Sequence, residues 1–262
     1  MEKLYVIKIG GNIIDDEHKL SSFLKDFAEI KEKKILVHGG GKLATKVAEA
    51  VGIQQQMVDG RRITDAETLK VVTMVYAGYI NKNIVAMLQA ESCNAIGLCG
   101  ADSNVIQAHK RTGASIDYGF VGDVDEVNSE FIKTILQTNT SIVFAPITHN
   151  TKGQLLNTNA DTVANEIAKA MQAFYDVALI YCFEKDGVLM DASDDASVIK
   201  EITTSSFVTL KNDHIISAGM IPKLDNAFAA LNAGVQQVII GNAEKLAALI
   251  NHQSGTAIIH GE

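Results

Sequence analysis

Residues 4–12 read LYVIKIGGN, a strand-like run that ends in a pair of glycines. Its apolar and β-branched residues predict a buried strand, and Gly10 and Gly11 allow the chain to turn so that backbone N–H groups can approach an anion such as phosphate. A second copy follows in residues 34–41, KILVHGGG, and leads into a helical pattern. Two such turns on neighbouring strands would hold two anionic groups face to face.

The composition indicates a folded chain with an acidic balance. Its 262 residues are enough for one large α/β domain or two tightly joined lobes. Lys and Arg number 23 against 31 Asp and Glu, and the net charge of −8 argues against a nucleic-acid or anionic-membrane surface. The start of the sequence has no signal-peptide pattern, and no apolar run approaches the roughly 18 residues of a spanning helix, so a cytoplasmic protein without a membrane partner is expected. The three cysteines are expected to be reduced core thiols.

Strand-like runs alternate with helical ones almost throughout, which predicts a largely parallel sheet covered by helices on both faces. The strand-like runs are 4–9, 34–38, 94–98, 141–147, 177–182, 236–240 and 255–260. The pattern Thr64-Asp65-Ala66-Glu67 predicts a capping box that opens a long helix to about Gln89, and Gly234 predicts a helix stop. A division near 172–176 would separate an N-terminal lobe, 1–174, from a C-terminal lobe, 175–262.

One glycine-punctuated stretch, 108–128, interrupts the alternation and suits hairpins that project from the main sheet. Such projections often form a rim over the carboxyl ends of the strands, where open α/β sheets bind their ligands.

Neither glycine turn matches a common phosphate motif. Gly41-Lys42 lacks the first glycine and the Ser or Thr of a P-loop, and no G-x-G-x-x-G follows the early strands. The glycine runs alone are equally well explained as tight strand-to-helix turns. Lys8 shifts that balance, because a lysine in a buried strand is costly unless an anion or carboxylate meets it or its stem reaches solvent.

Four further polar side chains lie at predicted strand ends or helix starts. The Asn157 amide can bind a carboxylate, and Asp161 lies in the first turn of a predicted helix, where the macrodipole favours its charge. Lys223 lies at the start of another predicted helix, where a cation is unfavourable to the helix itself. Either a functional requirement outside the helix or simple solvation of the side chain explains a lysine there. Arg62 precedes the capping box and has the planar fork that clamps carboxylates.

Six segments resemble the motifs of the amino-acid kinase family, in particular those of members that act on an acylated glutamate. In the family's order they are IKIGG (7–11), HGGG (38–41), GRRIT (60–64), GFVG (119–122), LNTNAD (156–161) and GMIPK (219–223). The resemblance covers nearly the full chain. It implies a three-layer αβα sandwich with a mainly parallel central sheet, an N-terminal lobe for the acyl amino acid and for dimerisation, and a C-terminal lobe for ATP.

By the same resemblance the reaction is transfer of phosphate from ATP to the γ-carboxylate of N-acetyl-L-glutamate, a step of arginine biosynthesis. That carboxylate is ionised near neutral pH, so no catalytic base is required. Lys8 and Lys223 would stabilise the transferring phosphoryl group, and Asp161 would hold both lysines. The implied substrate-binding residues are Gly40, Gly41, Arg62 and Asn157. The implied nucleotide-binding residues are Gly10, Gly11, Glu184, Gly187, Leu189, Ile216 and Ser217. Mg²⁺ would be held mainly by ATP oxygens, so no protein ligands are assigned to it.

Three features of the sequence leave alternatives open. The segment 183–189, FEKDGVL, departs from the family pattern at the nucleotide site, so the ribose and adenine contacts stay unassigned. The acyl group is acetyl by family default, but succinyl or another acyl is an alternative, and a non-catalytic sensor on the same fold is a rival that predicts loss of the charged trio. The sequence begins directly at its first strand, without the extra helix of arginine-inhibited hexamers, so a homodimer without arginine feedback is expected, with helix 65–89 at its interface.

Overall fold

The structure is a computed structural model that describes residues 1–58, 61–113, 116–216 and 220–261. Its strands are β1 Lys3–Ile9, β2 Lys33–His38, β3 Gln56–Val58, β4 Arg61–Ile63, β5 Ala95–Leu98, β6 Ile106–Lys110, β7 Gly122–Val127, β8 Ser141–Phe144, β9 Ile147–His149, β10 Leu155–Asn157, β11 Asp176–Phe183, β12 Glu201–Ile202, β13 Gln237–Asn242 and β14 Thr256–Ile258. Its α-helices are α1 Gly11–Ile14, α2 Glu17–Glu29, α3 Gly41–Ala50, α4 Ala66–Thr73, α5 Asn81–Ala90, α6 Ser129–Gln137, α7 Ala160–Met171, α8 Thr204–Asn212, α9 Ile221–Asn232 and α10 Leu246–Ile250. A π-helical stretch, Met74–Ile80, joins α4 to α5.

An eight-stranded sheet in the order β12-β14-β13-β11-β1-β2-β8-β5 forms the middle layer. Its central strands pair in parallel, and β13 and β14 pair antiparallel near one edge. Alternate residues of β1 enter different cores, because side chains alternate across a strand: Val6 packs with α6, α7 and α9, whereas Ile7 packs with α2, α4 and α5. The predicted αβα fold class is confirmed, and both cores draw residues from either side of the proposed division near 172–176, which stays a prediction.

A smaller sheet in the order β10-β9-β6-β7 extends from this core. The pairing of β6 with β7 is antiparallel, so the stretch 108–128 does contain the predicted hairpin, apart from residues 114 and 115, which lie outside the described residues. The predicted strand 141–147 divides into β8 and β9. Pro146 lies between them and has no N–H to continue the ladder, and β9 pairs in the smaller sheet.

The long helix begins one residue later than predicted. Its N-cap is Asp65, whose side chain accepts from Thr68 N at 2.7 Å. Thr64 cannot serve as the cap because its N–H donates to Tyr118 O at 2.9 Å and its carbonyl accepts from Phe120 N at 2.7 Å. The predicted capping box was therefore wrong, since strand-like pairing with the segment 118–120 competes for Thr64. The predicted stop at Gly234 agrees with the structure, where this glycine follows α9 with φ +100°.

The helical unit Ala66–Ala90 is long and apolar enough to cross a membrane by length and composition alone, with a mean hydropathy of 1.2 over its most apolar window. The expectation concerned uninterrupted apolar runs, and this helix contains Glu67, Lys70 and Lys82, so that expectation stays a prediction. Here its inward residues, including Val72 and Ile84, are fully buried in the core beside β1. Cys93 and Cys182 are buried as expected, Cys99 is half-buried, and all three thiols are free.

Candidate active site

Three charged side chains from distant parts of the sequence meet at the carboxyl end of β1. Lys8 Nζ lies 2.7 Å from Asp161 Oδ1, and Lys223 Nζ donates to Asp161 Oδ2 at 2.5 Å. The period of two puts Lys8 on the same face of β1 as Val6, which is the face that α7 covers. Asp161 lies in the first turn of α7, and Lys223 lies in the first turn of α9. The carboxylate that a buried strand lysine requires is thus supplied from within the chain.

Asp161 stays ionised in spite of its enclosure. Burial favours the neutral acid, but the ammonium groups of Lys8 and Lys223 outweigh it and hold the pKa of this carboxyl at about 2. Burial and then repulsion from Lys8 lower the pKa of Lys223, against the attraction of Asp161. One carboxylate between two ammonium groups leaves one positive charge without a partner in the trio, which suits an incoming anion.

The two glycine turns lie side by side above this trio. Gly39 N donates to Ile9 O at 3.1 Å, which holds the second turn against the end of β1. A Cβ atom built on Gly11 would lie 4.0 Å from Gly41 N, and one built on Gly10 would lie 4.0 Å from Lys8 Nζ. Helices α1 and α3 begin at these turns, so their first N–H groups have no intrahelical acceptor and can bind anions between the turns.

Gly40 is the glycine that this arrangement requires most strictly. Its φ is +145°, and a Cβ there would lie 2.3 Å from Ile80 Cδ1. We expect Gly40→Ala to lower the free energy of unfolding by about 2–5 kcal/mol, because overpacking adds to backbone strain. Gly52→Ala is the matched control, since φ is +78° but nothing lies within 4 Å of its Cβ position, and it should lose about 1 kcal/mol. Urea unfolding measures both, and equal losses would contradict the steric part of this explanation.

A pocket of about 220 Å³ opens beside the second glycine turn. The residues lining it are Gly39, Gly40, Gly41, Met57, Arg62, Tyr76, Arg111, Val121, Pro146, Asn157, Thr158, Asn159 and Ala160. All four predicted substrate-binding residues are among them. Gly60 and the Arg61 side chain, which belong to the same motif as Arg62, lie outside the described residues.

Arg62 is already braced by the protein. Its Nη2 donates to Gly41 O at 2.8 Å and to Thr45 Oγ1 at 2.9 Å, and its Nη1 donates to Gln55 Oε1. The side chain therefore fixes the first turn of α3 while its guanidinium borders the pocket. Asn157 Nδ2 donates to Thr64 Oγ1 at 3.0 Å, and no donor from the described residues meets its Oδ1. Asn159 caps α7 by accepting from the N–H groups of Asp161 and Thr162.

Arg111 is the main pocket residue that sequence reasoning missed. It follows β6 in the projecting hairpin, and its Nε and Nη2 atoms hold the carboxylate of Asp123 on β7 at 3.1 and 2.5 Å. The signal was present only as an arginine in a segment predicted to form a rim. The local sequence pattern does not predict how that rim folds. The fold of the rim also brings Val121 to the pocket.

A second, mainly apolar pocket of about 170 Å³ lies beside Met220, the N-cap residue of α9. It is lined by Phe183, Lys185, Gly187, Val188, Leu189, Ala192, Ile215, Ile216 and Met220. Three predicted nucleotide-binding residues, Gly187, Leu189 and Ile216, are therefore together. Glu184 is not among these residues, and its carboxylate accepts from Asn12 Nδ2 at 2.7 Å. Gly10 lies beside Lys8 and Gly11 beside Gly41 instead, and Ser217 lies outside the described residues.

The protein donors near the trio do not form a cage for a divalent cation. Across the described ranges, no three His, Cys, Asp or Glu side chains converge on a common point. Asp161 is already paired with two ammonium groups. A Mg²⁺ ion at this site would therefore depend on the oxygens of nucleotide phosphates and on water.

A buried histidine precedes the second glycine turn and makes stability depend on pH. Burial lowers the pKa of His38 to about 4 from 6.5, with repulsion from Lys82 adding to the shift and a hydrogen bond to Gly39 opposing it. The unfolded chain therefore takes up this proton first as the pH falls, and the folded state loses about 3 kcal/mol between pH 6.5 and 4. Asp161, with its pKa of about 2, loses its contribution in a lower window, below pH 3.8.

Urea unfolding from pH 7 to pH 4 checks this expectation against a His38→Leu variant. The variant should show a shallower fall in stability over that interval, because it lacks the group that only the unfolded state protonates there. Parallel curves for the two proteins would contradict the assignment.

The comparisons with known proteins agree with this geometry. The model of the amino acid kinase family matches residues 3–242. An acetylglutamate kinase from Cytophaga hutchinsonii is 57% identical over 262 residues, which is 99% of each chain. Among solved structures, an N-acetylglutamate synthase from Neisseria gonorrhoeae has a TM-score of 0.84 at 19% identity, and the alignment covers 100% of this chain and 60% of the synthase. A carbamate kinase from Giardia lamblia bound to AMP-PNP has a TM-score of 0.73 at 17% identity, over 99% of each chain.

The two solved structures show the fold alone. The Cytophaga relative is similar enough in sequence to identify the group within the family. The chain therefore belongs to the amino acid kinase family and, within it, to the group whose curated members are acetylglutamate kinases.

Proposed function

We propose that this protein transfers a phosphoryl group from ATP to the γ-carboxylate of N-acetyl-L-glutamate and so serves arginine biosynthesis. The observation that carries the proposal is that residues adjoining the charged trio in the sequence line both pockets. Asp161 directly follows Asn159 and Ala160, which line the first pocket. Lys223 lies in the first turn of α9, whose N-cap Met220 lines the second pocket. An acceptor in one pocket and a nucleotide in the other would meet at Lys8.

The residue types fit a reaction between two anions. A γ-carboxylate has a pKa near 4.3 and attacks without a base, so the main obstacle is its repulsion by the nucleotide phosphates. Lys8 and Lys223 would neutralise charge on the transferring group, and Asp161 keeps both ammonium groups in place. Backbone N–H groups of the two glycine turns would orient the reacting oxygens. Mg²⁺ bound to the ATP phosphates would supply further positive charge.

The first pocket offers the acyl amino acid both a cation and a neutral hydrogen-bond acceptor. Arg62 offers a cation to the α-carboxylate, and Asn157 Oδ1 is an acceptor for an amide N–H. Gly40 and Gly41 present backbone N–H groups at the trio end of the pocket. These groups suit a substrate with a carboxylate and an amide, which is the pattern of an N-acylated amino acid.

The second pocket suits the apolar faces of a flat aromatic base such as adenine. Its wall is built from Leu189, Ile216 and Met220, and Gly187 admits close packing because a Cβ there would lie 2.6 Å from Thr256 Oγ1. The carbamate kinase of the same fold was solved with AMP-PNP, which is consistent with ATP as the phosphoryl donor here.

Hydroxamate trapping of the acyl phosphate tests the proposed function. Purified protein with ATP and Mg²⁺ is given N-acetylglutamate, N-succinylglutamate, glutamate or carbamate, and release of ADP is followed with UMP as a further acceptor. We expect turnover with an N-acylated glutamate and the highest kcat/KM for the acetyl form. A preference for the succinyl form would show that the substrate is N-succinylglutamate rather than N-acetylglutamate. No turnover on any acceptor would refute the kinase assignment.

The proposed assembly is a homodimer that is insensitive to arginine. On the long helix Ala66–Ala90, Met74 and Tyr79 are 62% and 65% exposed. The neighbouring strand β5 ends the eight-stranded sheet, and its Ile96 is also exposed. An apolar helix surface next to an unpaired sheet edge is the kind of surface that a second copy covers. Sedimentation should give a dimer, and a stable hexamer or strong inhibition by arginine would contradict this.

A further inference from the structure

A chain of buried hydrogen bonds connects strand β8 of the main sheet to the second glycine turn. His38 is the last residue of β2 and is fully buried. Its Nδ1 lies 2.7 Å from Gly39 O, and its Nε2 lies 3.3 Å from Asn81 Nδ2. Asn81 is the first residue of α5 and is also buried. The charged trio does not use either side chain, so the function described above does not account for them.

The neighbours of Asn81 determine where the hydrogens lie in this chain. Asn81 Nδ2 lies 2.9 Å from Val143 O, which can only accept, and Asn81 Oδ1 lies 3.1 Å from Lys82 Nζ, which can only donate. The amide orientation is thereby assigned, and its N–H groups face Val143 O and His38 Nε2. His38 Nε2 must accept, so the neutral ring carries its hydrogen on Nδ1 and donates it to Gly39 O.

This hydrogen bond fixes the plane of the peptide between Gly39 and Gly40. In a trans peptide the carbonyl and the N–H point in opposite directions. With Gly39 O held toward the buried ring, the Gly40 N–H points away from it, to the side where Gly40 lines the first pocket. No acceptor from the described residues meets that N–H. Two glycines flank the peptide and cannot hold its orientation through side chains, so the constraint must come from elsewhere.

We propose that His38, supported by Asn81, is a positioning residue that aims the Gly40 N–H at the acyl amino acid. This inference rests on the proposed substrate of the first pocket. His38 acts on binding through the backbone and touches neither the substrate nor the nucleotide. The proposal predicts a selective effect. Loss of the Nδ1 donor weakens binding of the acyl amino acid in the first pocket and leaves nucleotide binding in the second pocket unchanged.

Three variants separate this role from simple core packing. His38→Asn places an amide nitrogen at the same distance along the side chain as Nδ1 and retains a donor for Gly39 O. His38→Gln reaches the position of Nε2 and retains a partner for Asn81 instead. His38→Leu keeps the bulk and loses both. Titration calorimetry with N-acetylglutamate and, separately, with AMP-PNP gives the affinity of each pocket without requiring turnover.

We expect His38→Leu and His38→Gln to bind N-acetylglutamate about tenfold more weakly, as for the loss of one hydrogen bond. His38→Asn should recover most of that affinity, and all three should bind AMP-PNP like the wild type. Equal affinity of His38→Asn and His38→Gln for N-acetylglutamate would overturn the inference, as would a parallel loss of AMP-PNP binding. A wild-type protein that binds N-acetylglutamate without phosphorylating it would refute the proposed function and leave this inference standing.

Discussion

Lys8→Ala is expected to lower kcat by about 10²–10³, the usual effect of removing one donor that stabilises developing charge. The fold should remain intact, because Asp161 keeps its ion pair with Lys223 and no buried charge is left unpaired. The KM values should change less than kcat, since the ammonium group acts on the transferring phosphoryl group rather than on the bound ground states. Steady-state kinetics with ATP and N-acetylglutamate, together with urea unfolding, measure both parts.

Lys34→Ala is the matched control for that experiment. Lys34 is also a buried lysine in a central strand, but it lies at the amino end of β2, and its Nζ donates to the carbonyls of Phe27, Ala28 and Ile30 at the end of α2. Truncation there should reduce stability and leave kcat unchanged, which is the reverse of the Lys8 result. Near-normal kcat in Lys8→Ala would refute the role of Lys8 in stabilising the transferring phosphoryl group. Equal losses of kcat in both variants would show that loss of a buried lysine, rather than its position at the reaction site, causes the effect.

Each charge of the trio stands out in the sequence, but the resemblance to the amino-acid kinase family is what predicted that the three act together. A lysine in an apolar strand, an acid in the first turn of one helix and a lysine in the first turn of another are each visible in the sequence. Strand periodicity and the parallel arrangement of the sheet then bring β1 and α7 to the same edge. The two glycine turns follow the same logic, since each directly follows a central strand.

The remaining features depend on pairings between residues far apart in the sequence. Thr64 has the pattern of a helix cap, but its backbone pairs with the segment 118–120, and Asp65 becomes the cap. Arg111 reaches the first pocket only because β6 and β7 fold over it. Glu184 is predicted to bind the nucleotide, and its carboxylate accepts a hydrogen bond from Asn12, a partner that the local sequence does not indicate; its nucleotide role stays a prediction. Local propensity cannot rank such competing partners, because their energies depend on the completed fold.

Asp161→Asn is expected to reduce both stability and activity, unlike Lys8→Ala. Removing the carboxylate leaves the ammonium groups of Lys8 and Lys223 close together in a site where the Asp161 side chain is only 13% exposed. Loss of one partner from a buried ion pair costs about 3–5 kcal/mol. The two lysines should also move apart, so kcat should fall by at least the roughly 10²–10³ expected for one displaced donor.

The double variant Asp161→Asn/Lys223→Met distinguishes repulsion from a purely structural loss. If the uncompensated charge is what destabilises Asp161→Asn, then removing Lys223 as well removes the repulsion on Lys8, and urea unfolding should show part of the lost stability restored. The kcat value should not recover, because both the Asp161 carboxylate and the Lys223 ammonium group are then absent from the reaction site. Additive losses of stability in the double variant would contradict the charge-balance explanation, and wild-type stability in Asp161→Asn alone would show that the two ammonium groups do not need this carboxylate.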